Sequence, residues 1–251
     1  MKTRKFFLTC ACVLFAWTAQ AQTQVIAHRG FWKAEGSAQN SITALKKAAE
    51  AQVYGSEFDV QLTKDGIVVV NHDDTIAGMT IAETEYEKLK DLKLKNGETL
   101  PTLEDYLKVG KQLPDIQLIL EIKPHKTKEL EDQAASACVK LVKEYGLEKQ
   151  VEYISFSMNI CEQLAKLTPG SEIAYLKSDI APKEVKAKGL TGIDYYYKVF
   201  DKHPEWVKEA HDLGMKVNAW TVNQNEDMQK LVKLGVDYIT TDQPLEAKEL
   251  L

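Results

Sequence analysis

The chain has 251 residues, 44% of them hydrophobic and 27% charged, with a formal net charge of −5, as expected of one large globular domain or two small ones. The mildly acidic balance speaks against nonspecific nucleic-acid binding, which leans on basic patches. The composition excludes disordered, fibrous and disulfide-scaffold proteins.

The start of the chain reads as a leader. Met1-Lys2-Thr3-Arg4-Lys5 is basic, Phe6 to Trp17 is apolar, and Ala19-Gln20-Ala21 is a small-x-small site. This is the pattern of a secretory signal peptide cut after Ala21. The apolar run is short for a membrane span, which takes roughly 20 residues. Cys10 and Cys12 lack the flanking residues of a lipid-modified cysteine. The expected product is an exported chain, periplasmic or secreted, covering 22–251 as one domain, with charge near −8 and no stable membrane insertion. Cys138 and Cys161 remain, each in an apolar helix-like segment, and read as buried free thiols; in an oxidising compartment their pairing stays open.

From there short β-like runs alternate with longer amphipathic stretches. In chain order the strand candidates are Val25–His28, Ser56–Val60, Gln117–Ile122, Val151–Ser155, Glu172–Tyr175, Gly192–Tyr195, Lys216–Trp220 and Tyr238–Thr241. Helical periodicity covers Ser41–Ala51, Lys128–Tyr145, Asn159–Leu167, Pro182–Lys188, Pro204–Leu213 and Glu226–Leu234. Gly55, Gly146, Gly189, Gly214 and Gly235 follow helix candidates and read as helix-ending residues. Repeated strand–helix alternation predicts an α/β fold, a parallel TIM (β/α)8 barrel.

One segment breaks the alternation. The second strand runs through Gln61-Leu62-Thr63 to Lys64-Asp65-Gly66 and straight into Ile67-Val68-Val69-Val70, with no room for a helix. Asp-Gly between strands predicts a hairpin. Its return leg brings residues 71 and 72 back beside 58 and 59, at the C-terminal mouth of the barrel. An insertion over about 61–103 then crosses that mouth before the chain rejoins the barrel.

The chemistry-bearing residues sit at strand ends, where a barrel of this kind places its active site. Glu57 and Asp59 are two apart and share a side of their strand, as do Glu121 and Lys123 at the end of the third. A single acidic residue at a strand end is usually solvated or salt-bridged. Three converging carboxylates would repel one another unless a cation joined them, and hard oxygen ligands favour one divalent ion, Mg2+ or Ca2+. His28 and His72 can supply a general base and a general acid. His125, His203 and His211 read as surface or structural. Arg29 suits phosphate recognition. Lys123 suits a phosphate contact, the ordering of Glu121, or an interior salt bridge. Trp220 reads equally as a pocket wall or a barrel-core aromatic, and Phe156 is a weaker candidate for the wall. The inventory suits metal-assisted cleavage of a phosphate ester.

In this order the motifs resemble those of the glycerophosphodiester phosphodiesterase family. They are His28-Arg29-Gly30, Glu57-Phe58-Asp59, Thr63-Lys64-Asp65-Gly66, His72-Asp73 and Glu121-Ile122-Lys123, with Trp220-Thr221-Val222-Asn223 and Thr240-Thr241-Asp242-Gln243-Pro244 later. The resemblance spans nearly the whole mature chain. It implies a TIM barrel with a small insertion after strand 2, a divalent ion on Glu57, Asp59 and Glu121, acid–base work by His28 and His72, and Arg29 and Lys123 near the phosphate. One stretch departs from the pattern: the family's usual P-E-N-T is Ala38-Gln39-Asn40-Ser41 here, so supporting Asn40 is kept and Gln39 replaces a glutamate.

The expected reaction is hydrolysis of a small-molecule glycerophosphodiester to glycerol 3-phosphate and an alcohol. Two other readings make different demands on the sequence. A phospholipase C-like or D-like enzyme acting on intact lipids would need an apolar lip, whereas Ile76 to Lys95 is rich in Glu and Lys. A non-catalytic phosphodiester-binding protein would be expected to lack a member of the core set, and none is missing.

Overall fold

The structure, a computed structural model, describes residues 22–251; the expected leader, with Cys10 and Cys12, lies outside the described residues. In chain order it comprises β1 (Gln24–Ala27), α1 (Ile42–Glu50), β2 (Gly55–Leu62), β3 (Val68–Val70), the short β4 (Thr75–Ile76) and β5 (Met79–Thr80), α2 (Leu103–Gly110), β6 (Gln117–Ile122) and α3 (Lys128–Tyr145). There follow β7 (Val151–Ser155), α4 (Met158–Leu167), β8 (Ile173–Tyr175), α5 (Pro182–Ala187), β9 (Gly192–Tyr196), α6 (Val199–Lys202), α7 (Glu205–Asp212), β10 (Lys216–Trp220), α8 (Asn225–Leu234), β11 (Tyr238–Thr241) and α9 (Pro244–Leu250).

The parallel strands β1, β2, β6, β7, β8, β9, β10 and β11 pair in that order, and β11 returns to β1 to close the barrel. This is the expected TIM barrel. Most of the predicted strand and helix bounds fall within a residue or two of those observed. Strand residues alternate between two cores. One face packs against the helices in a large apolar shell that includes Phe58, Leu118, Leu120, Val217 and Ile239. The other fills the barrel axis with Ile26, Ile119, Ile154 and Leu176.

Three helices were not anticipated: α2, the four-residue α6, and α9. The signal for α2 was present, because Thr102 and Asp105 form a capping box in which Asp105 N donates to Thr102 Oγ1 at 3.1 Å. Gly55 is a correction. It does not end α1, because Gln52 takes the left-handed position there (φ 53°). Gly55 opens β2 instead, where an added Cβ would lie 3.0 Å from Ile119 Cγ1. Its smallness serves barrel packing.

The hairpin forms. β3 pairs antiparallel with β2 in the register Val60↔Val70, Gln61↔Val69, Leu62↔Val68, and Asn71 N donates to Asp59 O at 3.0 Å. The turn closes on Thr63, whose Oγ1 donates to Asp65 Oδ1 at 2.7 Å and accepts from Ile67 N at 3.0 Å. Val68 and Val70 face the main core, whereas Val69 joins Ile81, Leu89 and Leu100 in a separate small core under the inserted segment. β3 is therefore the seam between insertion and barrel. Cys138 and Cys161 are buried and unpaired with one another. Among the described residues, no helix is long and apolar enough to cross a membrane.

Candidate active site

The mouth of the barrel holds a cavity of about 120 Å³. Its lining includes His28, Arg29, Glu57, Asp59, His72, Glu121, Lys123 and Trp220, together with Phe156, Leu176, Asp194 and Thr240. Apart from Asn40, every residue singled out in the sequence for a site role reaches this one space.

His28 follows β1 directly, and its backbone N donates to Thr241 O on the last strand at 2.9 Å. Its ring Nδ1–H donates to Asp242 Oδ1 at 2.8 Å, which leaves Nε2 as the free nitrogen. Asp242 is held on several sides. Trp32 Nε1 donates to Oδ1 at 2.9 Å and Asn223 Nδ2 to Oδ2 at 2.8 Å, while Asp242 N donates to Asn223 Oδ1 at 2.9 Å. Burial alone would raise the Asp242 carboxyl, but the bonds from His28, Trp32 and Asn223 outweigh it and hold the group well below the usual carboxylate range.

The turn after His28 sets two further groups. Gly30 has φ +72°, and a Cβ there would lie 2.6 Å from Ala44 Cβ, so the loop closes onto α1 only with glycine. Arg29 is itself left-handed (φ 54°). Its backbone N donates to Glu57 Oε2 at 2.7 Å, its Nη1 donates to Gln39 Oε1 at 2.9 Å, and its Nε lies 3.6 Å from Asp59 Oδ2. Thus Gln39, at the position that departs from the family pattern, steadies the guanidinium without charge. Asn40 does not line the cavity. It grips Asp59 from behind: its Nδ2 donates to Oδ2 at 2.9 Å and its Oδ1 accepts from Asp59 N at 3.1 Å.

Glu57, Asp59 and Glu121 each offer a carboxylate oxygen within 4.8 Å of the others, and all three are buried. Burial, and then the charges of Asp59 and Glu121, push the Glu57 carboxyl well up. Burial and Asp59 push Glu121 up to about 7. Asp59 goes down: burial opposes its ionisation, but Lys123, His72, Asn40 and Arg29 outweigh it. Lys123 Nζ lies 2.9 Å from Glu121 Oε1 and 3.3 Å from Asp59 Oδ1. It is thus both an interior salt bridge and a cavity wall. Glu57 Oε1 has no hydrogen-bond partner although buried. Glu121 Oε1 has only the lysine ammonium close by, without hydrogen-bond alignment. Buried, crowded, under-satisfied carboxylate oxygens are the donor set a hard divalent cation takes, so these residues fit such an ion.

His72 arrives on the return leg of the hairpin, with its side chain 37% exposed. Its Nδ1–H donates to Asp73 Oδ1 at 2.7 Å. Gln61, a buried residue on β2, donates from Nε2 to Asp73 O at 2.6 Å and to His72 O at 3.2 Å. Gln61 thereby pins the backbone that carries the histidine. Nothing in the sequence marked it, because a lone glutamine near a strand end is unremarkable. The other histidines lie elsewhere. His125 Nδ1–H donates to Lys123 O at 2.8 Å and Nε2 accepts from Leu62 N at 3.2 Å; His203 and His211 pair with Glu205 and Asp237.

Trp220 walls the cavity. Its Nε1 donates to Asp194 O at 2.9 Å, and it meets Phe156 edge-on with centroids 5.4 Å apart. Besides Gln61, the sequence does not mark buried Asp194, which is hidden in the β-like run Gly192–Tyr195, or the positioning role of half-buried Asp242, visible only as part of a motif.

A closed (β/α)8 barrel whose mouth gathers histidines, carboxylates and two cationic side chains has the form of a TIM-barrel phosphodiesterase. Residues 28–246 match the glycerophosphoryl diester phosphodiesterase family. A glycerophosphodiester phosphodiesterase from Caldanaerobacter subterraneus is 32% identical over 89% of this chain and 95% of its own. A crystal structure of a glycerophosphodiester phosphodiesterase from Parabacteroides distasonis superposes with a TM-score of 0.91 at 50% identity, covering 92% of this chain and 97% of that one. A phosphodiesterase from Oleispira antarctica, solved with the product sn-glycerol-3-phosphate, superposes with a TM-score of 0.79 at 26% identity, covering 91% of this chain and 96% of that one. The chain belongs to the glycerophosphoryl diester phosphodiesterase family, and is an enzyme of the phosphoric diester hydrolase class.

Proposed function

We propose that this enzyme hydrolyses soluble glycerophosphodiesters to glycerol 3-phosphate and an alcohol, with His28 and His72 moving the protons and one divalent cation, Mg2+ or Ca2+, held by Glu57, Asp59 and Glu121. The observation that carries the reading is a pair of histidine–carboxylate couples, His28–Asp242 and His72–Asp73, both opening onto the cavity that contains the buried carboxylate cluster. The product held by the Oleispira antarctica neighbour supports glycerol 3-phosphate as the product here.

Each histidine keeps a proton on Nδ1, facing its carboxylate, and presents Nε2 for transfer. In neutral form one Nε2 takes the proton of the attacking hydroxyl; the other ring, protonated, gives its Nε2 proton to the leaving alkoxide. Lys123 and Arg29 supply positive charge beside the phosphate oxygens. The cation, when bound, lowers the charge repulsion among carboxylates and phosphate and acts as a Lewis acid. Phe156, Leu176 and Trp220 keep that side of the cavity apolar.

The alternative of an enzyme on intact lipids has little support. Among the described residues the exposed large hydrophobics are Ile67, Tyr196 and Leu245, on three separate elements: the hairpin turn, β9 and α9. Export to the periplasm or the medium rests on the basic and apolar leader ending in Ala19-Gln20-Ala21. The test is a release assay on a panel of glycerophosphodiesters and on lipid vesicles, with EDTA and with each metal restored. We expect activity on the soluble esters, its loss in EDTA, and a fall of at least about 100-fold in kcat for His28→Ala and His72→Ala with cation affinity retained. Activity indifferent to EDTA, or near-normal turnover by either variant, would refute the scheme.

A further inference from the structure

A (β/α)8 barrel is ordinarily filled by layers of bulky apolar side chains. On one side of this barrel Ile26, Ile119 and Ile154 do so. The other side departs from the pattern. Asp194 on β9, Asn218 on β10 and Thr240 on β11 are all buried and follow one another around the wall. Asp194 and Asn218 are direct register partners, and Asn218 Nδ2 donates to Thr240 Oγ1 at 2.8 Å. Asp194 is 2% exposed, and its Oδ1, like Asn218 Oδ1, lacks a hydrogen-bond partner. Asp194 and Thr240 belong to the cavity lining. Asp194 also precedes by two residues Tyr196, the register partner of Trp220, so it sits one layer deeper than the aromatic wall. The acid–base scheme uses none of the three.

Buried polar atoms left unpaired are rare in native proteins, and each calls for a partner. The partner here is not the phosphate. β9 stands four strands from β2 in either direction around the closed barrel, on the far wall from Glu57 and Asp59. Among the described residues no cationic side chain pairs with Asp194, and burial, the largest influence on it, outweighs the neighbouring Asn218 and raises its carboxyl well above the usual range. A buried carboxyl beside an amide and a hydroxyl offers both donors and acceptors, which matches the chemistry of alcohol hydroxyls.

We infer that Asp194, with Asn218 and Thr240 behind it, forms a hydroxyl-binding floor that receives the glycerol diol and selects a polyol phosphodiester over one without hydroxyls. This rests on the proposed function and adds a positioning residue to it. The test compares the metal-loaded wild type with Asp194→Ala and Asp194→Asn on a glycerophosphodiester and on bis(p-nitrophenyl) phosphate, which carries no hydroxyl. Calorimetric binding of sn-glycerol 3-phosphate against methyl phosphate gives a second readout. We expect Asp194→Ala to lose about tenfold in kcat/KM on the glycerol ester, mainly through KM, and to stay within about twofold on the bis-aryl ester. It should also bind the two monoesters alike. Asp194→Asn, which keeps an acceptor and a donor, should fall between and serves if the alanine variant does not fold. Equal losses on both diesters, or none on the glycerol ester, would overturn the floor. A wild type that cleaves the bis-aryl ester alone would instead overturn the proposed substrate.

Discussion

At the scale of single residues, the site depends on side chains that hold other side chains. Asp242 holds Nδ1 of His28 and so leaves Nε2 free for the proton transfer proposed for it. Asp242→Asn keeps the shape, removes the charge and allows the wrong tautomer. We expect kcat to drop by about 100-fold or more, with little change in cation affinity. Because Asp242 has a depressed folded-state pKa, its contribution to stability is complete above the unfolded carboxylate range and fades as pH falls through the folded value. The stability gap between wild type and Asp242→Asn should therefore be largest near neutral pH and shrink in acid, as denaturant unfolding at several pH values would show. Gly30→Ala meets both a left-handed backbone and the Ala44 backbone and side chain under 3 Å away. A loss of about 3 kcal/mol or more is expected by the same measurement. Arg29 and Glu57 should be displaced with it.

At the scale of elements, the hairpin made His72 legible. Asp-Gly between two apolar runs specifies a tight turn, and the turn length then fixes the register that returns residue 72 to the mouth. Elements with strong local signals were readable in the same way: the β-branched strands, the long amphipathic helices, and the glycine ends of α3 and α8. α2 escaped notice because its apolar face is short, though Thr102 and Asp105 marked its start. Asp194 and Gln61 were illegible for a different reason. Each is one polar residue in a strand, and only the closed barrel shows which strand face it occupies and what it meets. The insertion has its own small core on Val69, Ile81, Leu89 and Leu100. Leu89→Ala should cost about 2–4 kcal/mol, concentrated in the insertion and the hairpin. Hydrogen exchange would rise over residues 68–101 and not over β6 to β9, and kcat would fall with the loosened His72.

At the scale of the whole molecule, the acidic cluster makes stability depend on pH and on metal together. Glu121 and Glu57 have carboxyls raised above their unfolded values. Without a cation, the stability tied to protonated Glu121 is full below about pH 4.5 and is lost as pH rises toward and through about 7, and Glu57 contributes in the same direction. In EDTA the Tm should therefore decline from about pH 5 to about pH 8. A divalent cation must displace those protons, so its affinity and the Tm gain it confers should grow over the same interval. Scanning calorimetry with and without Mg2+ or Ca2+ across that range checks both. A metal-induced Tm gain that is flat with pH would mean that the ion binds elsewhere.

The bond between His28 and Asp242 joins residues 214 positions apart, across the seam where the last strand meets the first. The three carboxylates proposed to hold the cation come from β2 and β6 alone, in the first half of the chain. An unfinished chain could therefore assemble its acidic pocket and still lack the carboxylate that readies His28. On the proposed scheme catalysis waits on the final strand, so turnover would report that the ring is complete, whereas ion binding would report only that its first arc has formed. During refolding the two signals should part in time, with ion uptake first and hydrolysis last.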